Sequence, residues 1–326
     1  MSAPGRPTVV VTRRLPAPVE EQLAREFHVR LNPDDHPFTT AELQEALRSA
    51  DGVVPTVSDH VSADTLSVEP LRARILANFG VGFNHIDVSA AQARGLVVTN
   101  TPDVLTDDTA DEAIMLMLMV ARRAGEGERH VRGGAWTGWR PTHMLGTKLS
   151  GKTLGLIGMG RIGRAVAKRA HHGFVMRVMF HAPYPPPREV MAELDAEQQR
   201  SVEEVLREAD FVSIHSPATP ETRHLIDAER LALMKPTAFL INTARGDIVD
   251  EAALVTALER GQIAGAALDV YEQEPRVTPG LLQLDNVVLL PHLGSATQET
   301  RVAMGMRALE NLKAFFAGAA PRDRVR

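Results

Sequence analysis

Cysteine is absent from all 326 residues. That excludes disulfides, thiolate metal sites and a cysteine nucleophile, and leaves the cytoplasm as the default compartment. Long hydrophobic runs are also missing. The most apolar helical stretch, IMLMLMV at 114–120, is too short for a bilayer, so no membrane partner is expected; its methionines read as the core face of a helix. The opening MSAPGRPTVV has no basic segment followed by an apolar run, so no secretory signal is expected. Lysine and arginine are scattered, 36 against 41 acidic residues for a net charge of -5, and nucleic acid is not expected as a partner. There is no repeat of 20 to 50 residues and no low-complexity tract beyond the prolines of 183–187. His171 and His172, adjacent on a helix, are expected to point apart, which disfavours a zinc site.

A 44% hydrophobic content over this length is enough for two cores. Short β-branched or apolar runs alternate with amphipathic ones: PTVVVTR, PVEEQLAREF, TTAELQEALRSA, GVVPTV, ARILANFG and LVVTN. This is the βα rhythm of a parallel sheet. A long helical stretch follows over 106–132, opened by Thr106, Asp107 and Asp108. A second βα series then runs through TLGLIGMG, RVMFHA, FVSIHS, TAFLINTA, IAGAALDV and NVVLLP. The pattern predicts an α/β fold of two doubly wound parallel-sheet domains. A last helical segment at 298–316 is expected to return to the first domain, which makes the second an insertion.

Gly158, Gly160 and Gly163 form G-M-G-R-I-G directly between the strand TLGLI and the helical run GRAVAKRA. The first glycine permits the tight turn, the second lets the backbone approach a pyrophosphate, and the third allows close helix–strand packing. Helix N-terminal amides would face the phosphates. A dinucleotide is the ligand this arrangement suits.

Three ionisable residues close predicted strands, where open parallel sheets bind ligands. Arg245 follows TAFLINTA, Glu274 follows ALDVYEQ and His292 follows NVVLLP. Reducing a 2-keto acid takes a hydride to carbon, a proton to oxygen and a cation for the carboxylate. Arg245 suits the carboxylate by its planar fork. His292 suits the proton transfer, with Glu274 fixing its tautomer and favouring its charged form.

The blocks FGVGFNHIDV, TNTPDVLTDDTADEA, GMGRIG, SPATPETRHLI, INTARGDIVDEAAL, AGAALDVYEQEP and LPHLGSAT resemble those of the D-2-hydroxyacid dehydrogenases, in particular the glyoxylate/hydroxypyruvate reductase branch. The resemblance implies an NAD(P)-binding Rossmann domain over 101–295 inserted in a split catalytic domain of 1–100 and 296–326. It also implies NAD(P)H-dependent reduction of small 2-keto acids to D-2-hydroxy acids. By position it assigns Arg245 to substrate, Glu274 to partner the histidine and His292 to acid/base work. Val81 and Gly82 resemble a carboxylate-binding loop. The cofactor set it implies is Thr109, Gly158, Met159, Gly160, Arg161, Ile162, Gly163, Ala182, Pro217, Thr222, Thr243, Ala244, Arg245, Asp269, His292 and Gly294, with Asp269 near the nicotinamide carboxamide. Trp139 matches an aromatic that reaches a neighbouring subunit's site, implying a homodimer; its other reading is a buried loop anchor. Residues 56–59 and the Trp139 segment would set pocket size. A 3-phosphoglycerate dehydrogenase and a cofactor-sensing corepressor of the same fold are the alternative readings. Glu274 argues against a formate dehydrogenase relative.

One further absence bears on the cofactor. Residues 178–187, VMFHAPYPPP, contain no carboxylate, although NAD-dependent relatives have one here to hold the ribose. Nothing then repels a 2′-phosphate, and NADP(H) is modestly favoured over NAD(H). No arginine follows directly either, since Ala182 and Pro183 occupy the place. Arg188, Arg161 and His181 are the groups within sequence reach.

Overall fold

The computed structural model describes residues 5–325. The first four positions, part of the opening read for a signal, and the last residue lie outside the described residues. The chain divides into two compact units, one ending at Leu105 and resuming at Ser295, the other Thr106–Gly294. The first division falls later than the residue-100 boundary expected from the sequence. Residues 100–105 stay with the first unit through backbone bonds from Asn100 to Asp323 and Thr101 to Gly80, and through the Thr300 hydroxyl on Val104 O.

The first unit contains β1 (Thr8–Val11), α1 (Ala17–Glu26), β2 (His28–Arg30), α2 (Thr40–Ser49), β3 (Gly52–Val54), α3 (Ala63–Leu66), β4 (Ile75–Ala77), α4 (Val88–Ala93) and β5 (Val97–Thr99). Its strands form one parallel sheet in the order β2-β1-β3-β4-β5. Those that are covered on both faces must be apolar along their length: β3 and β4 are wholly buried. A capping box starts α2, with Thr39 accepting from the Glu42 amide and Glu42 accepting from the Thr39 amide.

In the second unit come α5 (Thr106–Ala121), α6 (Ala124–Arg132), β6 (Thr153–Ile157), α7 (Arg161–Phe174), β7 (Arg177–His181), α8 (Arg188–Glu193), β8 (Ala196–Gln198), α9 (Val202–Glu208), β9 (Phe211–Ile214), α10 (Ala228–Leu231), β10 (Phe239–Asn242), α11 (Glu251–Glu259), β11 (Gly265–Leu268) and β12 (Val287–Leu289). Seven parallel strands lie in the order β12-β11-β10-β9-β6-β7-β8. Register pairs Phe211 with Phe239, so their rings stack at 5.2 Å in the core. The first unit is completed by α12 (Gln298–Phe316), which packs on α1 and β4 and brings Phe316 to 5.6 Å from Phe27.

Two differences from the sequence pattern have local causes. The helical stretch over 106–132 is two helices, broken where Arg123 takes a left-handed φ of 54°. There the Thr147 amide occupies the carbonyl of Ala121 at 2.8 Å, which ends α5. The strands β2 and β8, HVR and AEQ, were not visible as strands because edge strands with one covered face carry no apolar run. Within 114–120, Ile114, Leu116, Met117 and Val120 are buried, but Met115 is exposed. No helix among the described residues is long and apolar enough to cross a membrane.

Candidate active site

The turn between β6 and α7 is built by its glycines. Gly158 has a φ of +99°, and a side chain there would strike the backbone of His215 at 2.7 Å. A Cβ on Gly163 would lie 2.4 Å from Gly158 O. Gly160 is different, because a Cβ there would meet nothing within 4 Å. Its open face lies at the N-terminus of a 14-residue helix that has no side-chain cap. Unsatisfied amides at that end and the helix dipole suit an anion, and a dinucleotide pyrophosphate fits the cradle. Met159 is buried beneath it and Ile162 half-buried, while Arg161 is exposed.

Arg245, Glu274 and His292 follow β10, β11 and β12, three neighbouring strands. Nδ1 of His292 lies 2.9 Å from Glu274 Oε2, and the other Glu274 oxygen accepts the Tyr271 amide at 3.1 Å. Burial pushes the Glu274 carboxyl up, but the His292 bond and charge, the Tyr271 amide and the Arg245 cation outweigh it and hold it below the ordinary value. Burial lowers the Arg245 guanidinium, opposed by Glu274 and Asp247. One carboxylate thus feels both cations. The Arg245 turn is clamped by Asn242, whose side chain donates to Arg245 O at 2.8 Å and accepts from the Ala244 amide at 3.0 Å. Arg245 itself donates to Ala244 O.

His292 is held in the left-handed region, φ 57°. Asp269 imposes this. Its backbone carbonyl accepts from His292 N at 2.9 Å, and its carboxylate accepts from Leu293 N at 2.6 Å and Gly294 N at 2.9 Å. Thr109, on α5, donates to Gly294 O at 2.9 Å. The hydroxyl of Thr243 is buried with no hydrogen-bond partner among the described residues, an orphan polar atom beside Arg245 that a bound molecule would satisfy. Thr222 uses its hydroxyl within its own loop, donating to Pro217 O and accepting from the Thr219 amide, both at 2.8 Å.

At the end of β7, Ala182 is buried and Pro183 exposed. The carbonyl of His181 accepts from Gly158 N at 2.9 Å, which ties this end to the glycine turn, and its Nδ1 lies 3.2 Å from Gln199 O. Arg188 is exposed at the start of α8.

Val81 and Gly82 belong to the first unit. Asn78, just after β4, donates to both Gly80 O and Gly82 O at 2.9 Å, and Asn100 donates to Val81 O at 2.8 Å. With three successive carbonyls engaged, the Val81 and Gly82 amides have no acceptor among the described residues, a backbone pair suited to a carboxylate. Residues 56–59 close on themselves, the Thr56 amide donating to Asp59 at 2.7 Å.

Two readings are corrected. Trp139 is 82% exposed, so it is not a buried loop anchor; the segment after α6 makes too few contacts to cover it. The rings of His171 and His172 do not point apart but meet edge to face at 4.8 Å, because the last turn of α7 leaves both side chains room to converge. Asn242, His215 and Glu112 were not singled out in the sequence. His215 lies beneath the glycine turn, its Nε2 2.8 Å from Ser213 Oγ, and burial pushes its pKa down. The available signal was a polar residue closing or interrupting an apolar run.

The profile of the family described as D-isomer specific 2-hydroxyacid dehydrogenase, NAD binding domain, matches residues 114–294. A glyoxylate reductase from Aeropyrum pernix is 48% identical over 326 residues, covering 98% of this chain and 96% of that one. A glyoxylate reductase from Pyrococcus furiosus is 45% identical over 321 residues, 97% and 94% of the two chains. Among solved structures, a putative D-isomer specific 2-hydroxyacid dehydrogenase from Polaromonas superposes with a TM-score of 0.91 at 34% identity, over 99% of this chain and 100% of the other. An NADPH-dependent glyoxylate/hydroxypyruvate reductase from Sinorhizobium meliloti, in complex with NADP and malonate, superposes with a TM-score of 0.88 at 37% identity, over 98% and 97%.

Gly246, next to Arg245, leaves no space for a side chain: a Cβ would come within 1.8 Å of the Tyr271 backbone carbon. Gly246→Ala should therefore displace the Arg245 turn or the Tyr271–Glu274 turn and destabilise by about 1–3 kcal/mol. Thermal unfolding reads this directly, and an unchanged melting temperature would contradict the close approach.

Proposed function

The chain belongs to the D-isomer specific 2-hydroxyacid dehydrogenases, NAD(P)-dependent oxidoreductases acting on a CH–OH group, and within that family we propose that it reduces glyoxylate and hydroxypyruvate to their 2-hydroxy acids. The observation that carries this reading is the His292–Glu274 pair at 2.9 Å under the charge of Arg245. Similarity to glyoxylate reductases over nearly the whole chain supports the substrate class.

In this mechanism the guanidinium of Arg245 binds the substrate carboxylate; the Val81 and Gly82 amides, on the first unit, are by themselves a backbone pair suited to a carboxylate. The nicotinamide, when bound, supplies the hydride. His292, with Nδ1 engaged by Glu274, presents Nε2 and gives its proton to the carbonyl oxygen as the carbon is reduced. Glu274, against Nδ1, orients the ring, and solvent returns the proton afterwards. Oxidation of a hydroxy acid uses the same groups in reverse. The Gly158–Gly163 turn holds the pyrophosphate, and Asp269 keeps the His292 turn in place.

We assign NADPH as a cofactor used at least as well as NADH, because no carboxylate follows β7 to repel a 2′-phosphate. The NADPH-dependent relative agrees with this assignment. The preference is modest, since Pro183 stands where an arginine would bind the phosphate. We also assign a homodimer, formed over α6 and the segment after it, where Val131, Trp136, Trp139 and Leu145 are all more than half exposed.

His292→Ala should lower turnover about 100-fold to 10,000-fold with cofactor binding nearly intact, and Glu274→Gln, whose amide oxygen can still accept from Nδ1, should lower it by a smaller factor. Steady-state kinetics with glyoxylate test both; near-normal turnover in the alanine variant removes His292 from the chemistry. Ala182→Asp should shift the ratio of kcat/KM values toward NADH, and a wild-type enzyme that strongly prefers NADH overturns the reading of residues 178–187. Sedimentation should give a dimer, and a monomer at micromolar concentration contradicts the proposed interface.

A further inference from the structure

Four acidic residues lie in the first two turns of α5, and one of them is out of place. Asp107 and Asp111 are exposed and bind Arg169, and Asp108 is half-buried. Glu112 is 6% exposed. Both of its carboxyl oxygens are buried without a hydrogen-bond partner in ordinary geometry, a costly state for an ionised group.

What faces it is another carboxyl group. A methyl group placed on Gly294 would sit 2.9 Å from Glu112 Oε2 and 3.5 Å from Asp269 Oδ2, so this glycine leaves open the space in which the two acids meet. Each carboxylate oxygen of Asp269 already accepts a backbone N–H bond. A carboxylate can only accept, so the two acids can bond to each other only through a proton, and burial favours that proton on Glu112. Two carboxylates this close in a dry site cannot both ionise.

We propose that Glu112 is a positioning residue that holds a proton for Asp269, and that this shared proton locks α5 to the turn carrying His292. Thr109, three residues earlier on the same helix face, donates to Gly294 O, so α5 grips the turn at two points. The inference rests on the roles given above to His292 and Asp269. Burial first, and then the charge and hydrogen bonding of Asp269, push the Glu112 pKa up to about 8.

Cations on the elements packed against α5 have other partners. On α7, Arg169 binds Asp107 and Asp111, Lys168 lies by Glu193, and Arg164 donates to Gly160 O. Arg161, His171 and His172 are also on α7, at its exposed start and in its last turn. On α6, Arg123 binds Glu126, Arg129 binds Asp285 and Arg132 binds Glu128, with His130 stacked on His143. Beyond β10, β11 and β12 lie Arg245, Glu274 with Tyr271, and His292. None of these groups shifts Glu112; among the described residues the charged neighbour that does is Asp269.

The test uses the full chain and its Glu112→Gln and Glu112→Ala variants, with thermal unfolding of the cofactor-free protein from pH 5 to 9.5 and NADPH and NADH titrations over the same range. A carboxyl group whose pKa is raised by folding favours the folded state at low pH and loses that contribution as pH rises through the folded value. Glutamine cannot ionise. Its melting temperature relative to wild type should therefore climb between pH 5 and about 8 and then level off. Wild-type cofactor affinity should fall above that pH while the glutamine variant's does not, and alanine should bind roughly five- to thirtyfold more weakly than glutamine. A melting difference that is flat with pH overturns the shared proton. Glutamine binding no better than alanine overturns the positioning role. Failure to reduce glyoxylate with both results intact would reject the substrate reading alone.

Discussion

The grip of Asp269 on the turn after β12 is the constraint on which the rest of the candidate site depends. One residue supplies three acceptors, its carbonyl to His292 and its carboxylate to Leu293 and Gly294. The left-handed backbone at His292 costs roughly 1–2 kcal/mol for a residue with a side chain. It persists because those three bonds leave the turn no alternative. The ring that results meets Glu274, which the Tyr271 amide holds from the other side. Strain at His292 is thus offset by bonds from β11 and Glu274.

The same device recurs at other strand ends. Strands covered on both faces are mostly apolar along their length, so most polar side chains that hold turns lie where a strand stops. Asn242 closes β10 and clamps the turn of Arg245. Asn78 follows β4 and clamps residues 80–82. Asp269 follows β11. In each case a short side chain of fixed reach holds a turn whose next few residues have chemistry to perform. Parallel strands bring β10, β11 and β12 to the same edge with their ends aligned, by the register that pairs Ala266 with Val287 and Leu268 with Leu289.

Charge in the second unit is distributed according to solvent. Pairs such as Arg177 with Glu197 and Glu208 are about half exposed and add little to stability. Further in, the state of a carboxyl group is set by its neighbours as well as by burial. Glu274, about one-third exposed, is kept ionised by His292, the Tyr271 amide and Arg245. Glu112, with only another carboxylate nearby, is pushed the opposite way. The two glutamates thus differ both in depth and in what faces them.

By itself the sequence determined the two parallel sheets, the glycine turn and the candidate trio of Arg245, Glu274 and His292, because each has a local signature: apolar runs of strand length, glycines at fixed spacing, and ionisable residues directly after a strand. It missed β2 and β8, whose edge position removes the apolar pattern, and read through the break at Arg123, which depends on Thr147 taking the Ala121 carbonyl from twenty-six residues away in sequence. Only the tertiary structure decided that Trp139 is exposed, that Asn242 and Asp269 hold the turns, and that Glu112 faces Asp269. Those contacts join residues distant in the chain, and the ionisation of a buried carboxyl group is set by whatever folding brings against it.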